Sequence, residues 1–141
     1  MDLKTITAYV VLSAGLIFLW ALILGVVKYR QMAASAEGQA HFYTDTAHRA
    51  ALMYSFATIL IAFFVELSDF SDTVNGVAAF VLIFFFVFAI AGYMYHGLKQ
   101  DTENQILDSP RGLHAFMTAL IIGEIGGFTV LLIGFVQGQL L

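Results

Sequence analysis

Four long apolar runs, at about 6–27, 50–67, 74–95 and 113–136, take up most of this chain and leave it few ways to fold. Each is close to the roughly 20 residues that a helix needs to cross the hydrocarbon core of a bilayer. Lipid offers no partner to an open backbone N–H or C=O, so a spanning segment must be a helix or a strand of a closed barrel. A barrel strand alternates polar and apolar residues, and the run Phe80 to Phe88 (FVLIFFFVF) does not. Composition agrees, with 60% apolar and 11% charged residues, against about 25% charged in a typical soluble domain. The chain is therefore expected to be an all-α integral membrane protein. It should form one antiparallel bundle of four transmembrane helices, a single domain over 1–141 with helices at about 6–29, 48–67, 74–96 and 112–137.

The placement of charge predicts an orientation. Threading the four runs up and down puts Lys28, Arg30, Arg49, Lys99 and Arg111 at one end of the bundle and only Lys4 at the other. Short loops rich in Lys and Arg stay in the cytoplasm. The connections 30–47 and 97–112 should then be cytoplasmic and both termini outside, in a membrane of the bacterial inner-membrane type. The first run is longer than the core of a secretory signal, and its Lys28 and Arg30 follow it instead of preceding it, so a retained helix is expected. The absence of cysteine excludes disulfides, thiolate metal sites and thiol catalysis. No basic run points to nucleic acid.

Several local signals refine the outline. Thr44 or Asp45 is suited to cap the second helix. The segment Ser68 to Thr73 reads as a tight hairpin, and Asn75-Gly76 favours a turn. Pro110, the only proline, suits the entry to the fourth helix. Small residues recur at every fourth position of that helix, Ala115, Ala119, Gly123 and Gly127, a ridge against which another helix can pack closely.

Two groups of residues are candidates for chemistry. Glu124 falls about midway along the fourth helix, where a carboxylate is costly and needs a partner or a cavity. By depth its expected neighbours are Thr58 and Ser13; neither is a cation, so Glu124 should be neutral at rest. It then serves either as a hydrogen-bonded lock between helices, or as a proton, cation, ligand or subunit site. The second group is a polar cluster at the cytoplasmic end: His48, Arg49, His96, Lys99, Arg111 and His114. His48, His96 and His114 would each stand at the end of a different helix near one level, and His with carboxylate suits zinc, iron or manganese. No two histidines have the i, i+3 or i, i+4 spacing of ligands on one helical face, so no metal is expected. No cofactor is predicted either, although the phenylalanine-rich third helix would accommodate a lipid, quinone or pigment tail.

The size, the four helices, the long first connection and the short second one resemble the MAPEG superfamily, the membrane-associated proteins of eicosanoid and glutathione metabolism. Thr46 to Tyr54 (TAHRAALMY), with the apolar run to Glu66-Leu67, is similar to the start of that family's second helix. Gly92 to Gly97 (GYMYHG) and Arg111 to Ala115 (RGLHA) are similar to its third-helix exit and the start of its fourth helix. The resemblance implies a trimer and a lipophilic substrate. It also implies a thiolate stabiliser, for which Tyr93, Tyr95 and Arg49 are the candidates. The Asn and Glu with which the family holds glutathione are replaced by Ala50 and Met53, and the following proline by Phe56. Three functions stay open: a non-catalytic oligomeric scaffold or accessory subunit of a larger membrane complex, which is the leading expectation; a MAPEG-like enzyme acting on a lipophilic substrate; and a proton- or cation-coupled membrane component using Glu124. The expected partners are the bilayer and other copies of the chain or the subunits of a complex.

Overall fold

The computed structural model describes residues 3–108 and 112–141; Pro110 and Arg111 lie outside the described residues. Four helices follow one another, α1 (Thr5–Ala34), α2 (Phe42–Leu67), α3 (Asp72–Lys99) and α4 (Leu113–Gln139). Each is long and apolar enough to cross a membrane, and no strand occurs among the described residues. The chain is an all-α integral membrane protein built as an antiparallel four-helix bundle. Both termini and the α2–α3 turn share one end, the termini end. The first and third connections share the other, the connection end.

The helices are longer at the connection end than hydropathy alone predicts. Gln31, Met32, Ala33 and Ala34 are all good helix formers, so α1 continues through them to a break at Ser35, and Gly38 turns the chain with φ +68°. The first connection is thus 35–41 and not 30–47. His41, not Thr44 or Asp45, caps α2: its ring nitrogen accepts a hydrogen bond from the Tyr43 N–H at 3.3 Å. At the termini end Ser71 caps α3, its hydroxyl accepting from the Val74 N–H. Asn75-Gly76 therefore lies inside a helix and not in a turn. The buried Asn75 side chain donates to the Phe70 carbonyl at 2.9 Å, and Gly76 makes room for Ile6 of α1.

In cross-section the helices form a rhombus. α2 and α3 touch along its short diagonal, α1 packs on both from one side and α4 packs on both from the other, so that α1 and α4 do not meet. One core joins Val10, Ile61, Val65, Ala79, Leu82 and Leu131 toward the termini end. A second joins Ile17, Ala21, Leu24, Ala47, Ala51 and Ile90 toward the connection end. Alanines in these seams let the helices approach closely. In lipid, close van der Waals packing and interhelical hydrogen bonds hold helices together, since the hydrophobic effect gives no drive between them.

The seam of α4 departs from the expected ridge. Gly123 faces Val81 and Phe85, and Gly127 faces Ala78 and Leu82 of α3. Leu131 is fully buried, and Gly134 and Gly138 close on the α2–α3 turn around Ser68 and Asp69. Ala115 and Ala119 are exposed. The reason is angular. Each residue advances a helix by about 100°, so a strict four-residue step drifts by roughly 40°, and three steps back from Gly127 bring the ridge about 120° off the contact. The steps of four, seven and four that join Gly123, Gly127, Gly134 and Gly138 keep these glycines within about 60° of one another. Of the predicted stripe, Gly123 and Gly127 pack inside the chain and Ala115 and Ala119 do not.

Candidate functional site

At the connection end, polar side chains tie helices to one another. The carbonyl of Gly97, near the end of α3, accepts hydrogen bonds from the Thr44 hydroxyl of α2 at 3.0 Å and from the Gln31 amide of α1 at 3.1 Å. The oxygen of the same Gln31 amide accepts from the His41 backbone N–H at 3.0 Å. Three helices and the first connection thus converge on one carbonyl, and α3 comes so near α2 that position 97 must be glycine-sized. Tyr43 stacks on Tyr93, with ring centres 5.9 Å apart, and its hydroxyl accepts from the Gln105 N–H at 2.8 Å, pinning the third connection.

The predicted polar cluster separates into individual contacts. Nδ1 of His48 lies 2.9 Å from the Ala21 carbonyl of α1; a carbonyl can only accept, so Nδ1 carries the proton. Arg49 and Lys28 flank Asp45, at 3.0 and 2.5 Å. His96 donates from Nδ1 to Asp101 at 2.8 Å, which holds the Asp101 carboxyl below its usual range. Lys99 donates to the Tyr95 hydroxyl. His114 is exposed, and Arg111 lies outside the described residues. Among the described residues no three His, Asp or Glu side chains come together as a metal site would require. The residues proposed for thiolate chemistry are equally dispersed: Tyr93 against Tyr43, Tyr95 with Lys99, Arg49 with Asp45. Of the positions where the resemblance calls for Asn and Glu, Ala50 packs toward the α1 core and Met53 is 72% exposed on the bundle's outside.

A wide cleft of about 1010 Å³ opens at the same end, bordered by Lys28, Arg30, Gln31, His41, Asp45 and Glu103. Its charges are mixed, and Lys28 is paired with Asp45. It has no prevailing sign with which to collect one class of ion.

Glu124 stands apart from all of this. It lines a groove of about 420 Å³ between α2, α3 and α4, together with Ala57, Ile61, Leu82, Phe86, Phe128 and Thr129. One carboxyl oxygen, Oε1, is buried and has no hydrogen-bond partner among the described residues. No hydrogen bond joins Glu124 to either expected partner among the described residues: the Thr58 hydroxyl donates to the Tyr54 carbonyl at 2.7 Å, and the Ser13 hydroxyl to the Tyr9 carbonyl at 2.9 Å. Thr129, on the rim, donates to Ile125 of its own helix at 2.7 Å. Among the described residues Glu124 thus makes no hydrogen bond that would lock two helices together. The other two unpartnered buried atoms, Thr7 Oγ1 and Asn75 Oδ1, sit at the termini end, Thr7 beside the Glu66 carboxylate toward which its hydroxyl can turn.

Sequence reasoning missed the residues that hold the connection end. In the sequence Thr44 reads as a cap, Gln31 as part of the first connection and Gly97 as the start of the third, whereas the structure places Gln31 in α1 and Gly97 in the last turn of α3. A Gly in the last turn of one helix, with hydroxyl and amide residues at the facing ends of two others, is the signal that marks such a close approach. Comparison with protein-family models, with curated proteins and with solved structures gave no match.

Proposed function

We propose that this chain is a non-catalytic structural component of a membrane, a tetraspan scaffold that assembles with copies of itself or serves as an accessory subunit of a larger membrane complex. The observation that carries this reading is the use made of its polar side chains. Gln31, Thr44 and His48 each join one helix to the backbone of another, and Tyr43 joins α2 to the third connection. Groups that would otherwise be free for proton transfer or substrate binding hold the bundle together. The exposed flank of α4, with Ala115, Ala119, Ile122 and Ile125, supports assembly, because small residues between branched apolar ones allow close approach of another helix. Orientation belongs to the same proposal: the basic residues of the connection end lie in the cytoplasm, in a bacterial-type inner membrane, and the termini lie outside.

The test is the mass of the particle extracted in mild detergent, measured with its partner chains identified. A homo-oligomer or a stoichiometric complex supports the scaffold. A monomer without partners overturns it. Turnover of a generic electrophile with millimolar glutathione would overturn it in favour of an enzyme, and none is expected, because Ala50 and Met53 offer glutathione no polar grip.

A further inference from the structure

We propose that the groove between α2, α3 and α4 is a binding site for a lipophilic molecule with a compact ring carbonyl, quinone-like in chemistry, whose carbonyl oxygen accepts a hydrogen bond from Glu124. This goes beyond the scaffold reading and does not depend on it. Among the described residues, Oε1 of Glu124 is the one buried side-chain atom without a partner that lies away from the ends of the bundle. Rotation about the last side-chain bond of Glu124 exchanges its two oxygens, so a hydroxyl on either can be presented to the groove. A neutral carboxyl has one O–H to donate, and within hydrocarbon an unmade hydrogen bond is a standing cost.

The shape of the groove narrows the occupant. Its volume of about 420 Å³ falls within the range of small-molecule sites, and its lining is apolar apart from Glu124 and Thr129. The lining residues run from Ala57 to Ile61 on α2, from Leu82 to Phe86 on α3 and from Glu124 to Thr129 on α4. Five or six residues of helix cover only about 8 Å. A neighbouring transmembrane helix lying along α4 would leave a groove several times longer, so a notch this short suits a ring. Two aromatic side chains line it, Phe86, itself stacked on Tyr54 with ring centres 4.3 Å apart, and Phe128, and aromatic contacts of this kind suit a flat conjugated molecule. Depth separates the ring carbonyl from the other carbonyls of a membrane. Glu124 is the twelfth residue of α4, some 16 Å along the helix from its start. The ester carbonyls of glycerolipids stay at the edges of a hydrocarbon core about 30 Å thick. A ring on an apolar tail enters that core.

The experiment uses the full chain in lipid nanodiscs and a decyl-benzoquinone carrying a diazirine. Irradiation followed by peptide mapping should place the label on the groove segments of α2 and α4, and excess unmodified decyl-benzoquinone should remove it. Glu124→Gln keeps a donor and should retain most of the labelling. Glu124→Leu removes the donor and should lower labelling roughly three- to tenfold, the range for one hydrogen bond within a membrane. Ala57→Leu fills the groove without touching the carboxyl and should lower it as well. Labelling that persists in both Glu124→Leu and Ala57→Leu, or that excess decyl-benzoquinone does not compete, overturns the proposal. Equal competition by a dioleoyl glycerolipid would show a groove filled by acyl chains and would also overturn it. Should Glu124→Leu fail to fold by circular dichroism, Ala57→Leu decides: unchanged labelling there refutes the site.

Discussion

Two glycines on one helix should answer the same substitution with opposite sign. Gly92 and Gly97 both lie in α3, and in each case alanine is the better helix former by about 1 kcal/mol. A Cβ at Gly92 meets nothing within 4 Å, so Gly92→Ala should be neutral or stabilising by up to about 1 kcal/mol. A Cβ at Gly97 would lie 2.6 Å from both the backbone nitrogen and the hydroxyl of Thr44, and 2.9 Å from its Cα. Ordinary contact needs about 3.5–4.0 Å, so α2 and α3 must part by about 1 Å. The partner here is backbone, which cannot swing aside. Overpacking of this kind costs about 1–3 kcal/mol. Parting also takes the bonds from Thr44 and Gln31, now 3.0 and 3.1 Å, out of range, at about 1 kcal/mol each. Set against the gain in helix propensity, Gly97→Ala should destabilise by about 2–4 kcal/mol. Unfolding in mixed detergent micelles, followed by circular dichroism for both variants beside the parent, measures the difference. A Gly97→Ala protein as stable as Gly92→Ala would refute the close approach of α3 to α2 on which the connection end is built.

Other consequences can be checked independently. In this cysteine-free chain, single cysteines at Ala36, Ser71 and Asn104 should divide by side; an impermeant thiol reagent on intact cells should reach only position 71, and labelling of 36 and 104 instead would invert the orientation. Tyr43→Phe keeps the ring stack on Tyr93 but removes the acceptor of the Gln105 N–H, so amide exchange or proteolysis between residues 101 and 108 should quicken while global unfolding shifts by only about 1 kcal/mol. Unchanged protection there would mean that the hydroxyl does not pin the connection. The His96 contact lowers the Asp101 carboxyl from an ordinary 3.8. Stabilisation from that contact is therefore present above this value and fades as pH falls through the lower folded one. Exchange in the third connection should rise only on acidification below that range, and a rise already between pH 7 and 5 would contradict the sign.

What the sequence discloses follows the length over which each signal is averaged. The four spans are legible because hydropathy accumulates over some 20 residues and a bilayer accepts only helices or barrels. Helix ends are less so, since they are decided by single bonds between distant residues. Thr44 looks like a cap until Gly97, fifty-three positions away, takes its hydroxyl. Asn75-Gly76 looks like a turn until the Asn75 side chain turns back onto Phe70 and Ile6 fills the space at Gly76. The glycine ridge of α4 was visible, but its line was not, because a four-residue step and a helical turn are not commensurate. Glu124 is conspicuous in the sequence as a carboxyl at the wrong depth. Its lack of a partner is visible only in three dimensions, once Thr58 and Ser13 prove to be bonded to their own helices.

The manner in which α4 is fastened gives it the mechanics of a lever. At the termini end it is bonded to the α2–α3 turn, through the Gly134 carbonyl to the Asp69 N–H at 3.0 Å and the Gln139 amide to the Leu67 carbonyl at 2.9 Å. At its other end Phe116 packs against Phe85 and Phe88, and among the described residues no hydrogen bond ties that end to another helix. The fulcrum is thus near Gly134. Glu124 lies about 15 Å from it and Leu113 about 31 Å, at 1.5 Å per residue. A tilt of about 5° about that fulcrum displaces Glu124 by roughly 1.3 Å and Leu113 by more than twice as much, a geometric ratio fixed by the helical rise. The third connection, pinned to Tyr43, leads into the long arm. By that ratio, any tilt of α4 that opens the groove at Glu124 moves the start of the helix at Leu113 about twice as far.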